Sequence, residues 1–268
     1  MGELTGREIA EKLTEAGRLK ANPLSICGSE VLPDNAVSTI DINRCIARAI
    51  FSLPTEKEID AVYIEEDEKK SCCPGGQAWF GYKSFMPMLK YFLSTGIESF
   101  RNGAAEYLLE NPDLAEKRLK SAGRIKPLGK YIIIQKSDAV AEDDLVVSAF
   151  LCFGDAVQIR NLTSLFYFGS EKSFDVQFPW GPLCASFVSY PTNMTENSPK
   201  NCIILGPTDP TGNHWFPPNY LSMGIPYEIA KNMAIELDAS FIKKKPKIAF
   251  PKKINGSLDQ PGKNGGRS

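Results

Sequence analysis

Apolar residues recur at helical spacing from Thr5 to Leu19, and Thr5 with Glu8 three positions later has the capping-box pattern. A second amphipathic stretch, Ile42–Leu53, is stopped by Pro54. Met86–Ser94 and Ala104–Leu109 read as helices, and Pro112–Ala122 as a charged one. Val157–Phe168 and Pro226–Leu237 complete the predicted helices, the last opening on a proline, as first helical turns favour. The apolar runs Lys130–Gln135 and Leu145–Phe153 predict buried strands. Shorter strands are expected at Ala61–Ile64, Asp175–Phe178 and Asn201–Leu205. Asn22–Leu32 reads as loop or strand, and Cys184–Tyr190 as helix or strand. Together these elements predict one globular α+β domain over residues 1–242.

Their order admits an internal repeat, with halves at 20–125 and 130–240. The segment INRCIARAIFSL (42–53) can be laid over VQIRNLTSLFYF (157–168), and each is followed by a strand and then a cysteine among small residues. That overlay makes Cys73 and Cys184 equivalent and sets them across a cleft. Chance overlap of two short apolar stretches is the plainer alternative.

A chain of 268 residues, 43 % hydrophobic, buries a sizeable core without disulfide or metal staples. Its single histidine excludes sites that need two or more from one chain, such as the usual zinc hydrolase and facial-triad iron centres. The polar, charged opening Met1–Lys20 has no signal-peptide pattern, and no long apolar run predicts a membrane span. The expectation is a cytoplasmic, reducing setting, in which the seven cysteines are free, ligating or redox-active rather than paired. With 31 Lys+Arg against 32 Asp+Glu there is no bulk pull toward nucleic acid. The charge is uneven, however. Residues 243–268 hold eight basic side chains and one acid, leaving 23 basic and 31 acidic groups, a net of −8, in residues 1–242. The basic segment 243–268 is too polar and Gly-rich to order itself and reads as a disordered tail.

Candidate chemistry concentrates on the thiols. Cys72-Cys73-Pro74-Gly75-Gly76 places vicinal cysteines before a rigid, then permissive, backbone. A helix starting near Gln77 would put both thiols at its N-terminus, where the dipole favours thiolate. The alternative is a tight turn with half-buried thiols. Cys184 follows Gly181-Pro182-Leu183, and Cys27 precedes Gly28, again in backbone-permissive company. Cys45, Cys152 and Cys202 sit in apolar helix or strand patterns and read as core thiols. Cys27, Cys72, Cys73 and Cys184 are therefore the candidate ligands for an iron–sulfur cluster or a soft metal. No CxxC spacing supports that set. His214, in a turn-rich aromatic loop, is a candidate general base or axial ligand, or simply a surface histidine. No GxGxxG, GxSxG, HExxH or P-loop occurs.

Cys72–Gly76 with Ala78 and Gly81, Phe153 with Gln158, Leu183–Ser186, Tyr190-Pro191 and Ile225-Pro226 resemble the ArCR family over about residues 5–240. This is a family of domains of unknown function, common in archaea and anaerobic bacteria. The resemblance implies a cysteine followed by Gly-Gly in the first half and a Cys-Ala pair in the second. It marks Cys73, Gly75, Gly76, Cys184 and Ala185, and implies an oxygen-poor setting but no reaction.

Two readings follow. One is a redox-linked protein holding an iron–sulfur cluster or soft metal on thiolates from both halves, served by a redox partner protein. The other is a non-catalytic accessory protein binding a small molecule or cofactor. Its apolar pocket would be lined by Trp79, Phe80, Tyr82, Trp180, Trp215 and Phe216, unless these rings are core.

Overall fold

The computed structural model describes residues 4–67, 72–139, 145–210 and 215–251. Its centre is an eight-stranded mixed sheet: β1 (Leu24–Ser29), β2 (Ala36–Ser38), β3 (Ala61–Ile64), β4 (Tyr131–Lys136), β5 (Val147–Asp155), β6 (Val176–Gln177), β7 (Ile203–Gly206) and β8 (Tyr220–Pro226). Across the sheet the order is β2-β3-β4-β1-β5-β8-β7-β6. Both outermost pairs, β2·β3 and β6·β7, are parallel, and every pairing between them is antiparallel. Counted outward from the middle, each half runs first strand, fourth, third, second. The sheet therefore consists of two topologically equivalent halves, β1–β4 and β5–β8. The dividing point lies between β4 and β5. That is later than the 125–130 boundary expected from sequence, because strand Tyr131–Lys136 pairs into the first half.

Alternation along the strands sorts side chains to two faces. On one face, Ile26, Val62, Ile134, Leu151 and Ile204 share a continuous core. It is covered by α3 (Ile46–Ser52), α4 (Pro74–Trp79), α6 (Pro112–Ser121) and a π-helical turn, Ala185–Ser189. On the opposite face of the second half, Phe150, Ile203, Met223 and Ile225 pack under α1 (Gly6–Gly17), α7 (Ala156–Phe168) and α8 (Tyr227–Glu236). The opposite face of the first half carries a small cluster of Cys27, Ala61 and Ile133.

Local chemistry accounts for the helix starts. Thr5 and Glu8 form the expected capping box. Asp155 forms another, its carboxylate accepting from the Val157 and Gln158 amides at 2.9 and 3.0 Å. The helix expected over 42–53 is broken. Asn43 is extended between α2 (Thr39–Ile42) and α3, and its Oδ1 accepts from the Cys45 amide at 2.9 Å. Met86–Ser94 shortens to α5 (Leu89–Phe92). Ala104–Leu109 is irregular rather than helical, because Arg101, Asn102, Gly103 and Tyr107 take left-handed φ of 52–78°. The chain stays ordered past 243 through α9 (Phe241–Lys244) and α10 (Pro246–Ala249). Arg160 Nη2 and Asn161 Nδ2 each donate to the Ala249 carbonyl at 2.9 Å, and Arg18 stacks 3.7 Å over the Phe250 ring. These contacts hold the start of the segment expected to be tail, while 252–268 lies outside the described residues. No described helix is long and apolar enough to cross a membrane.

Candidate functional site

The two parallel outer pairs require crossovers, and each crossover delivers a cysteine to the shared face. Cys45 stands seven residues after the end of β2 and caps α3. Cys184 stands seven residues after the end of β6 and leads into the π-helical turn. The two occupy equivalent places in the two halves. Cys73 arrives from the next connection, β3 to β4, where it caps α4 with Pro74 at the first helical position. Its Sγ accepts from the Gly76 amide at 3.4 Å. Cys45, Cys73 and Cys184 together line one cavity of about 190 Å³.

The walls are held rigidly. Ser189 Oγ donates to the Trp79 carbonyl at 2.6 Å, tying the π turn to α4. Trp79 meets Phe85 and Tyr190 edge to face, with centroids 5.1 and 5.6 Å apart. Tyr190 in turn donates to the Trp180 carbonyl at 3.0 Å. Gly75 faces open space, so a Cβ there would touch nothing within 4 Å. Gly76 is opposite in character, because its Cβ would lie 2.7 Å from Cys72 Sγ. The vicinal cysteines therefore part company. Cys73 faces the cavity, while Cys72 is buried behind the helix, its thiol 3.6 Å from the Cys73 carbonyl.

Burial pushes the Cys184 thiol well above its ordinary value, and the neighbouring thiols of Cys73, Cys72 and Cys45 push it further. A bond to the Ala185 backbone opposes them weakly. Tyr190 is raised as well, by burial first and by Cys184 second. The Cys184 thiol is thus protonated at neutral pH, and a metal entering the cavity must displace that proton. Glu106 and Asp209 add two carboxylates to an otherwise apolar lining. Among the described residues, no three His, Cys, Asp or Glu side chains are already gathered as a metal-holding group.

A family model described as Uncharacterised ArCR matches residues 12–235. The chain belongs to the ArCR family. No curated protein and no solved structure matches it.

Of the residues that the ArCR resemblance marks, Cys73, Gly75, Gly76 and Cys184 line the cavity, and Ala185 is buried just behind Cys184. Trp79 and Trp180 also line it. Phe80 belongs to the core, Tyr82 bonds the Gly129 and Lys130 carbonyls, and Trp215 and Phe216 cluster around Phe51. Two of the six expected rings thus line the cavity, joined by Phe92.

Cys27 does not join the other thiols. It points to the opposite sheet face, because it follows Ile26 in a strand whose successive side chains alternate, and burial there raises its thiol to about 12. Cys152 and Cys202 are buried as expected. His214 lies outside the described residues.

Sequence reasoning missed Cys45, Glu106 and Asp209. The sequence pattern around Cys45 is that of a helix interior, and the break at Asn43 makes it a cap instead. The equal seven-residue offsets of Cys45 and Cys184 were present in the chain. They become visible only once the edge strands are known.

Proposed function

We propose that this ArCR protein is a cytoplasmic, redox-linked protein that holds an iron–sulfur cluster or soft metal ion on Cys45, Cys73 and Cys184. The observation that carries the reading is that three thiols, from three separate connections, line one cavity of about 190 Å³. Buried structural thiols ordinarily pack against apolar neighbours. Three thiols lining a void, Cys184 buried and Cys45 and Cys73 half-buried, beside a glycine that leaves room, suit a soft inorganic guest better. Bound there, such a group supplies electron transfer or Lewis acidity. The protein's residues supply soft donors, a dry wall from Trp79 and Trp180, and backbone clearance at Gly75. A redox partner protein would exchange electrons with it.

Anaerobic reconstitution with iron and sulfide, followed by metal analysis and visible spectroscopy, tests the reading. Iron uptake that is lost in Cys45→Ser, Cys73→Ser and Cys184→Ser but kept in Cys27→Ser supports it. A colourless wild-type protein without iron, zinc or cadmium binding overturns it.

The cavity volume and the two indole walls favour one second reading, an accessory protein that binds a compact apolar molecule. About 150 Å³ of apolar cavity takes a benzene-sized guest, whereas drug-sized ligands need roughly 300 Å³ or more. Binding of such a guest unaffected by the three serine substitutions would favour this reading.

A further inference from the structure

Next to the thiol cavity lies a second cleft of about 270 Å³, and Trp180 lines both. It forms where the end of α6 meets two segments of the second half, Pro179-Trp180 and residues 195–199. Hydrogen bonds hold these walls in place. Asn197 donates from Nδ2 to the Ser121 carbonyl at 3.1 Å and from its amide to the Ala122 carbonyl at 3.2 Å. The other wall is fixed by Thr208 Oγ1, which accepts from the Gly181 amide at 3.1 Å and donates to the Pro179 carbonyl at 3.0 Å.

Arg118 is the one charged side chain among the described residues that line this cleft. It is exposed, its guanidinium stands 5.8 Å from the Trp180 ring centroid, and it makes no ion pair with a described carboxylate. Thr195 lines the cleft at 0 % exposure, and its Oγ1 has no hydrogen-bond partner among the described residues. The carbonyl of the same residue, by contrast, accepts from Ser198 Oγ and Lys200 Nζ, both at 3.1 Å. A buried hydroxyl left bare is costly, and an acceptor oxygen on a bound molecule relieves that cost. The last carbonyls of α6, which would repel such an oxygen, are already taken by the Asn197 donors.

We propose that this cleft binds a compact organic carboxylate, whose oxygens are taken by the Arg118 guanidinium and the Thr195 hydroxyl. The proposal does not depend on the soft-metal reading, because neither residue lines the thiol cavity. A lone guanidinium balances one negative charge and matches a carboxylate with two parallel donors, which favours a monocarboxylate over a phosphate dianion. Pro179, Pro199 and the Tyr190 ring give the rest of the molecule an apolar bed. A benzene-sized guest needs about 150 Å³, so this cleft takes roughly ten non-hydrogen atoms, the size of benzoate.

The test titrates the full chain with sodium benzoate, with neutral benzamide and with inorganic phosphate, by calorimetry at constant ionic strength. Benzoate is expected to bind at one site, and benzamide at least tenfold more weakly for want of the charge. Arg118→Gln should likewise lose at least tenfold. Thr195→Val, which keeps the shape and drops the hydroxyl, should lose severalfold, whereas Thr195→Ser should retain binding. A packing role for Thr195 would give the reverse order. Arg124→Gln, at an exposed neighbour outside the lining, should bind as wild type does. Thermal melts of the ligand-free variants separate unfolding from loss of the site. No benzoate binding, binding indifferent to Arg118 and Thr195, or equal affinity for benzamide overturns the proposal. Phosphate bound more tightly than benzoate overturns it in favour of an inorganic-anion site.

Discussion

Neighbouring glycines of one short helix give a matched test of the cavity. Replacing either Gly75 or Gly76 by alanine removes the same backbone freedom from the unfolded chain, a gain of about 0.4–1 kcal/mol where the native backbone accepts a side chain. Neither has a left-handed φ, so neither substitution is strained for that reason. The two differ in surroundings. At Gly75 the new methyl group meets nothing within 4 Å. At Gly76 it would lie 2.7 Å from Cys72 Sγ, with Ile46 and Phe80 atoms at 3.4 and 3.5 Å, so the thiol must move within a packed core. Overpacking of this kind costs about 1–3 kcal/mol. The entropic gain is common to both variants, so the gap between them is the steric cost alone. Gly75→Ala is expected to melt about 1–4 °C above wild type. Gly76→Ala should lie about 1–3 kcal/mol below Gly75→Ala in urea unfolding followed by tryptophan fluorescence. Equal stabilities, or a Gly75→Ala protein weaker than wild type, would refute the placement of an open cavity beside Gly75.

Other expectations follow from the caps, the buried thiols and the C-terminal contacts. Gly75→Leu, which drives a branched side chain into the cavity, should cut reconstituted iron severalfold in a protein that remains folded by circular dichroism. Cys27, raised from 9.0 to about 12 by burial, favours the folded state in its neutral form. Its contribution is therefore complete below about pH 9 and lost as pH rises toward 12, up to about 4 kcal/mol. Cys27→Ala should accordingly flatten the alkaline limb of a stability–pH profile, and superimposable limbs would contradict the assignment. Asp155→Ala should cost about 1–2 kcal/mol by removing the cap of α7, with Asp155→Asn recovering most of it in the same denaturation assay. Phe250→Ala, which removes the ring beneath Arg18, should cost about 0.5–2 kcal/mol, and an unchanged urea midpoint would show the stacking contributes nothing.

Most of the elements were legible because their signals are local. The capping box at Thr5–Glu8, the stop at Pro54 and the run YIIIQ each act within one or two turns of chain. β8 was missed although its residues read YLSMGIP, because the helix pattern that follows dominates the window. β2 and the break at Asn43 were missed because three residues of strand and one extended asparagine leave no periodicity. Cys73 and Cys184 stand out in sequence for their permissive backbone company, Gly75 and Gly76 as part of it and Trp79 as an aromatic, and all five line one cavity. The overlay of helices 42–53 and 157–168 does not account for this shared lining. Helix 42–53 lies between β2 and β3, whereas helix 157–168 lies between β5 and β6, so those two helices are not counterparts. The counterpart of Cys184 is Cys45, a relation fixed by strand pairing and therefore invisible to local pattern. Cys27 was misplaced for a related reason, since the face a strand residue takes depends on register with its neighbours.

The seam between β1 and β5 relates the two halves of the sheet by symmetry. It joins two four-stranded units of the same strand order by antiparallel pairing, the arrangement that a twofold axis between two identical strands produces. Two separate copies of one such four-stranded unit could close the same sheet as a homodimer, with β1 meeting its own copy where β1 here meets β5. In such a dimer every cavity group would be present twice. In the single chain the two equivalent connections need not match: the one between β3 and β4 carries Cys73 and the one between β7 and β8 carries Asp209. Neither half, expressed alone, carries the whole set. An unequal lining of this kind is open to a single chain and closed to a symmetric dimer of identical halves.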